Sequence, residues 1–152
     1  MDAKQKEFPH MALIGYALSQ SDDDYLCGGT LISTQFVLSA AHCLFHRELL
    51  EAKYVKLGDV KRNVKNSNTY TYSIVERIPH PSYKHDSIDH NIALFKLNET
   101  LILKDFRGFV RPICLPYKVE HPSKVIAIGF GFDEVHENGS YCFLLFYLII
   151  SF

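Results

Sequence analysis

The sequence lacks the run of roughly 20 apolar residues that a bilayer-spanning helix requires. It contains no tryptophan, and nine tyrosines and eleven phenylalanines supply its aromatic bulk. It also lacks an excess of charge, because 16 Lys and Arg residues and 17 Asp and Glu residues leave a net charge of −1. This balance argues against nucleic acid or an anionic membrane surface as the main partner. The first eight residues are polar and charged, so we expect no secretory signal peptide in this chain.

The 152 residues, 47% of them apolar, are enough for one ordinary domain with a sizeable core. Four cysteines are too few for a miniprotein built on disulfides. The apolar residues fall mostly in short runs with strand character, bounded by turn signals. The clearest runs are Gly28–Ser33, Phe36–Ser39, Tyr54–Leu57, Thr69–Ile78, Ile92–Leu97 and Val125–Ile128. This spacing predicts an all-β fold, either an antiparallel barrel or a sandwich, with one or two helical turns at Ala40–His46.

Prolines at 112, 116 and 122 indicate an extended connector near residues 106–122. We therefore predict a first unit over residues 1–105, this connector, and a second unit over residues 123–152. The second unit ends in an apolar stretch from Cys142 to Phe152, which is too short to span a bilayer as a helix.

Five motifs occur in a fixed order along the chain. They are Cys27–Ile32, Leu38-Ser39-Ala40-Ala41-His42-Cys43, His90-Asn91-Ile92-Ala93-Leu94, Val110–Pro116 and Gly129-Phe130-Gly131. Together they resemble the chymotrypsin-like, or trypsin-like, serine proteases, and most of all the arthropod members that often carry a clip domain. The resemblance covers about residues 7 to 132.

The resemblance implies the fold, the activity and several residue roles. It implies a six-stranded antiparallel barrel, followed here by an incomplete second barrel, and peptide-bond hydrolysis without a cofactor or metal. His42 matches the general base, and Cys27 and Cys43 match the disulfide that fixes its loop. The implied partners are protein or peptide substrates and other proteases of a cascade, and the implied location is extracellular.

The third motif departs from the family at the residue that should be aspartate. Asn91 stands there, and an amide can imitate the shape of a carboxylate but carries no charge. If its NH₂ group faces the ring, His42 holds its proton on the wrong nitrogen and cannot act as a base. Asp89 is a weak substitute, because two residues along a strand are about 6.6 Å apart.

The family nucleophile is a serine in a Gly-Asp-Ser-Gly-Gly string of the second barrel. None of the eleven serines in this sequence stands in such a string. Two hypotheses follow. One is a serine endopeptidase domain present as a fragment without its nucleophile. The other is a non-catalytic serine protease homologue that binds or regulates within an extracellular cascade, and Asn91 favours this second hypothesis.

The remaining candidates lie outside these motifs. Asn98-Glu99-Thr100 and Asn138-Gly139-Ser140 are glycosylation sequons, which have meaning only in a secreted chain. His42 and His46 have a zinc-like spacing, but no third ligand is evident. Cys114 matches the family cysteine that ties the catalytic unit to a propeptide or clip domain, and Cys142 has no clear counterpart.

Overall fold

The computed structural model describes residues 4–16, 25–46, 50–58, 68–85, 87–115, 117, 125–130 and 148–151. Ten strands occur within these ranges: β1 Met11–Gly15, β2 Tyr25–Leu31, β3 Phe36–Ser39, β4 Phe45–His46, β5 Leu50–Glu51, β6 Tyr54–Leu57, β7 Tyr70–Pro79, β8 Ala93–Leu97, β9 Val125–Ile128 and β10 Leu148–Ser151. The helical elements described are two 3₁₀ turns, Ala41–Leu44 and Leu103–Phe106.

Six strands close into an antiparallel barrel in the order β1–β2–β3–β8–β7–β6, with β6 returning to β1. The all-β prediction and the six-stranded antiparallel barrel are therefore confirmed. Closure leaves these six strands without an unpaired edge, which removes the usual site of edge-to-edge association.

The barrel core follows from alternation along the strands. In β8, Ala93, Phe95 and Leu97 point inward and are buried, while the residues between them are partly exposed. This period of two places every second side chain on the same face of a strand. The largest fully buried side chains of the barrel interior are Phe95, Ile14, Leu31, Leu57, Leu97, Val37, Val55 and Val110.

A short hairpin between β2 and β3 leads directly into the candidate site. Ser33 tightens it, since its hydroxyl accepts hydrogen bonds from the backbone N–H groups of Gln35 and Phe36, at 3.2 and 3.0 Å. The strands then pair through Thr30 opposite Leu38 and Leu31 opposite Val37. Strand β3 in turn pairs with β8, so the residues that follow β3 and those that precede β8 emerge at the same end of the barrel.

A second, two-stranded sheet joins β9 and β10 in antiparallel register, from Leu148 opposite Ile128 to Ser151 opposite Val125. Ile128 packs against Met11 of the barrel in a small apolar cluster that also includes Phe8, Ile113 and Phe130. Val110, from the predicted connector, is fully buried in the barrel core. The division into residues 1–105, 106–122 and 123–152 stays a prediction.

Within the described parts of the chain, no helix has the length and apolar character needed to cross a membrane.

Candidate active site

The turn that carries His42 follows β3 directly. Ser39, the last residue of β3, donates a hydrogen bond from its hydroxyl to the Gly28 carbonyl at 2.7 Å and so fixes the end of the strand on β2. Ala40 remains extended, and the 3₁₀ turn Ala41–Leu44 begins after it. The N–H of Cys43 donates to the Ala40 carbonyl at 3.1 Å, which closes the turn around His42.

A disulfide anchors the same turn to the barrel. Cys43 is bonded to Cys27 of β2, with 6.1 Å between the two Cα atoms and a sequence separation of 16. The distance between the two Cα atoms lies within the normal range for a disulfide. The pairing implied by the family resemblance is confirmed.

A third anchor comes from the end of β1. The hydroxyl of Tyr16 donates a hydrogen bond of 2.8 Å to the Cys43 carbonyl, and the Tyr16 side chain is buried. Carbonyls at the end of a helical turn have no partner inside the turn, so this hydroxyl supplies one. Burial raises the pKa of Tyr16, so the hydroxyl keeps its proton and remains a donor. The family motifs did not point to Tyr16, and an aromatic residue just after an apolar run gave no signal of this contact.

The turn that carries Asn91 precedes β8. His90 adopts a left-handed backbone conformation with φ of 55°, which is uncommon outside glycine. The N–H of Ile92 donates to the His90 carbonyl at 2.7 Å, and the His80 N–H donates to the Ile92 carbonyl at 2.9 Å. The rings of His80 and His90 stack with centroids 4.7 Å apart. These contacts turn the Asn91 side chain toward the His42 turn.

Two hydrogen bonds join Asn91 to His42. The backbone N–H of His42 donates to the Asn91 Oδ1 at 2.9 Å. The Asn91 Nδ2 lies 2.8 Å from the His42 Nδ1. The first contact decides the orientation of the amide, because a backbone N–H can only donate and must therefore face the oxygen. The NH₂ group is left facing the ring.

This orientation fixes the proton of the neutral imidazole. An amide NH₂ can only donate, so the His42 Nδ1 must accept and the ring proton must sit on Nε2. A general base of the serine protease type needs the opposite arrangement, with a free lone pair on Nε2. In this geometry the His42 ring presents a donor, not an acceptor, at Nε2.

Electrostatics favour the neutral ring as well. Burial lowers the pKa of His42 below its usual value of 6.5. A hydrogen bond to Asn91 would raise that pKa only if the amide oxygen accepted from the ring, and the backbone N–H of His42 already holds that oxygen. Protonation would place a ring N–H against the N–H of the Asn91 amide, a contact that disfavours the charged ring.

The structure brings together His42 and Asn91 but does not bring Asp89 to them. Asp89 is exposed, and its backbone N–H donates to the Ser87 hydroxyl at 3.0 Å. The sequence predicts positions 89 and 91 on one strand, whereas β8 begins only at Ala93 and His90 has a left-handed backbone conformation. The strand geometry that the substitution of Asp89 for Asn91 would need is therefore not present at these positions.

The sulfurs of Cys27 and Cys43 and a ring nitrogen of His42 lie within 4.8 Å of one another. Because the two sulfurs are joined in a disulfide, they are not thiolates and cannot act as ordinary zinc ligands.

Cys114 is a free, exposed thiol, and Asn98 is exposed. Asn138 and Cys142 lie outside the described residues.

The chain is similar to a known family and to several curated proteins. The trypsin family model matches residues 1–143. Phenoloxidase-activating factor 1 of Holotrichia diomphalia is 32% identical over 152 residues, covering 88% of this chain and 41% of that protein. Melanization protease 1 of Drosophila melanogaster is 32% identical over 157 residues, covering 89% of this chain and 38% of that protein.

A third relative names the clip domain that the sequence motifs suggested. CLIP domain-containing serine protease B10 of Anopheles gambiae is 32% identical over 147 residues, covering 82% of this chain and 39% of that protein. The chain thus spans about two fifths of the length of these curated relatives. By its family match, its closed barrel and its disulfide-anchored histidine turn, the chain belongs to the trypsin family and forms a trypsin-like serine protease domain.

Proposed function

We propose that this domain acts as a non-catalytic serine protease homologue, which binds a protein partner in an extracellular proteolytic cascade. The observation that carries the proposal is the orientation of the Asn91 amide, fixed by the hydrogen bond from the backbone N–H of His42. With its NH₂ group toward the ring, the amide keeps a proton on the Nε2 atom of His42. The ring then has no lone pair with which to activate a hydroxyl.

The loss of charge supports the same proposal. In the family mechanism, a buried carboxylate stabilises the imidazolium that forms when histidine takes a proton. Asn91 cannot do so, and burial already disfavours the protonated state of His42. The sequence of these 152 residues also contains no serine in a Gly-Asp-Ser-Gly-Gly string. Each of these features opposes acyl transfer by this chain, and their effects are not additive because the triad residues act as a unit.

The extracellular location and the cascade are inferred from chemistry and from relatives. The Cys27–Cys43 disulfide suits an oxidising compartment. The relatives have names that refer to phenoloxidase activation and melanization, so we propose partners among the proteases and substrates of such a cascade. Binding requires the barrel surface and not the proton chemistry of His42.

A second candidate is an endopeptidase domain that works with a nucleophile not contained in this sequence. The retained framework around His42 favours it, since the disulfide, the Tyr16 contact and the short turn are the features that a general base needs for positioning. Asn91 is the observation that ranks it second.

The test is labelling of the 152-residue chain with a fluorophosphonate probe, which requires an activated serine, alongside assays on peptide substrates. We expect no labelling and no turnover, with an active trypsin-like protease as the positive control. Labelling that disappears in the His42→Ala variant would contradict the proposal, because it would show that His42 activates a serine of this chain.

A further inference from the structure

The sequon Asn98-Glu99-Thr100 forms an exposed turn at the end of β8. All three residues are exposed. The chain is anchored on both sides of them, because the Leu97 N–H donates to the Gln35 carbonyl at 2.9 Å and the Leu101 N–H donates to the Thr34 carbonyl at 2.8 Å. The sequon is therefore accessible on a turn whose ends are fixed to the barrel.

The Asn98 amide is oriented by the barrel. Its Oδ1 accepts a hydrogen bond of 3.1 Å from the Ser73 N–H, and its own backbone N–H donates to the Ser73 carbonyl at 2.9 Å. Within the part of the chain that the structure describes, the Nδ2 atom donates to the exposed carboxylate of Glu99 alone, at 3.3 Å. The oxygen thus faces the barrel, and the nitrogen faces the solvent.

This orientation suits the chemistry of N-glycosylation. The bond to the sugar replaces one hydrogen of Nδ2 and leaves Oδ1 unchanged, so the contact with the Ser73 N–H survives modification. The attached sugar would displace only the Glu99 carboxylate, whose exposed hydrogen bond contributes little.

The position of the sequon also keeps a glycan away from the candidate site. Asn91 lies before β8 and Asn98 lies after it. The five residues of the strand, at about 3.3 Å each, separate the two ends by about 17 Å. A glycan at Asn98 would therefore lie at the end of the barrel opposite to His42 and leave the end that carries His42 and Asn91 uncovered.

We propose that Asn98 is an N-glycosylation site of this domain. The Nδ2 nitrogen forms a bond to the anomeric carbon of an oligosaccharide donated by a polyprenyl diphosphate. The bond between that carbon and the diphosphate oxygen breaks, the lipid diphosphate leaves, and Nδ2 loses one proton. The proposal rests on the extracellular location proposed above.

The test supplies translocation, so that its failure is distinct from a failure of the proposed location. The full chain, carrying an added leader sequence, is translated in the presence of microsomes in an Asn138→Gln background that leaves one sequon. We expect the protease-protected chain to gain mass that a peptide N-glycosidase removes. Because this enzyme converts a glycosylated asparagine to aspartate, peptide mass spectrometry should then find aspartate at position 98. A protected chain without a glycan at Asn98 would overturn the proposal.

Two variants at Thr100 serve as matched controls, because they leave Asn98 and its contact with Ser73 in place. Thr100→Ala removes the sequon and should abolish the mass gain. Thr100→Ser keeps a sequon and should keep the mass gain. For secreted, folded protein, we expect the glycosylated chain and the Thr100→Ala chain to have the same melting temperature. A lower melting temperature of the glycosylated form would contradict the orientation argued for Nδ2.

Discussion

The turn that carries His42 and the turn that carries Asn91 meet at one site but are held in different ways. The His42 turn has a covalent anchor through Cys27–Cys43 and a buried side-chain anchor from Tyr16. The Asn91 turn is shaped by its backbone, with a left-handed His90 and a tight hydrogen bond from Ile92. The His42 turn has the anchors that position a general base, whereas the Asn91 turn carries a neutral amide where the family has a charged carboxylate.

The difference separates positioning from proton chemistry. Asn91 holds the His42 turn through the same kind of contact that a carboxylate would make to the backbone N–H, so the shape of the site is preserved. Replacing one carboxylate oxygen by an NH₂ group reverses the role of the His42 Nδ1 atom, which would donate to the carboxylate but accepts from the amide. A site can therefore retain its geometry while its ring changes from a base into a donor.

The largest expected effect comes from restoring the charge. In a chimera that joins residues 1–122 to the second barrel of an active relative, with a correctly processed N-terminus, we expect Asn91→Asp to raise kcat by orders of magnitude. The reverse change in a well-studied member of this family is known to cost about 10⁴ in kcat, and we adopt that known scale. The measurement is steady-state hydrolysis of a peptide substrate. Equal rates for the two chimeras would show that the carboxylate is dispensable here.

The next effect concerns the covalent anchor of the His42 turn. We expect the double variant Cys27→Ala, Cys43→Ala to lose about 3 kcal/mol of unfolding free energy, on the chain-entropy model for a loop of this size. Denaturant unfolding under oxidising conditions measures it, with reduced wild-type chain as the control. Unchanged stability in both samples would mean that the disulfide does not anchor the turn.

A smaller loss of unfolding free energy is expected when the buried hydroxyl of Tyr16 is removed. Tyr16→Phe leaves the Cys43 carbonyl buried without its donor, which costs about 1–3 kcal/mol of unfolding free energy. Tyr72→Phe is the matched control, because Tyr72 is only partly buried in β7 and the described residues show no hydrogen bond from its hydroxyl. Equal losses in the two variants would remove Tyr16 from the anchors of the His42 turn.

The smallest effect is a dependence of stability on pH. Burial lowers the pKa of both His10 and His42 below the usual 6.5. Because the unfolded chain then binds protons more readily, the stabilisation is full above about pH 6.5 and is lost as the pH falls below it. Unfolding free energies measured from about pH 7.5 to pH 5.5 should decrease, and His10→Leu should make the decrease shallower. A flat profile would contradict the pKa directions.

Much of the barrel follows from local patterns. A short apolar run after a turn signal predicted β3 at Phe36–Ser39, and a turn signal after Leu57 predicted the end of β6. The 3₁₀ turn around His42 was expected as one or two helical turns. The short pair β4 and β5 was not predicted, because strands of two residues are too short to show any period.

The site was harder to predict than the fold. The order of the motifs identified His42 and Asn91, but the direction of the Asn91 amide depends on a backbone N–H that lies 49 residues away in sequence. The left-handed turn at His90 also had no signal, since this conformation is uncommon for any residue other than glycine. Contacts of this kind depend on which loops the closed barrel brings together.

The tautomer of His42 tests the central claim most directly. Two-bond nitrogen–proton correlation spectra of uniformly ¹⁵N-labelled protein at neutral pH report which ring nitrogen carries the proton. We expect the proton on Nε2 in the wild-type chain and on Nδ1 in Asn91→Asp, where a carboxylate accepts it. A wild-type ring with its proton on Nδ1 would contradict the claim that Asn91 has turned His42 from a base into a donor.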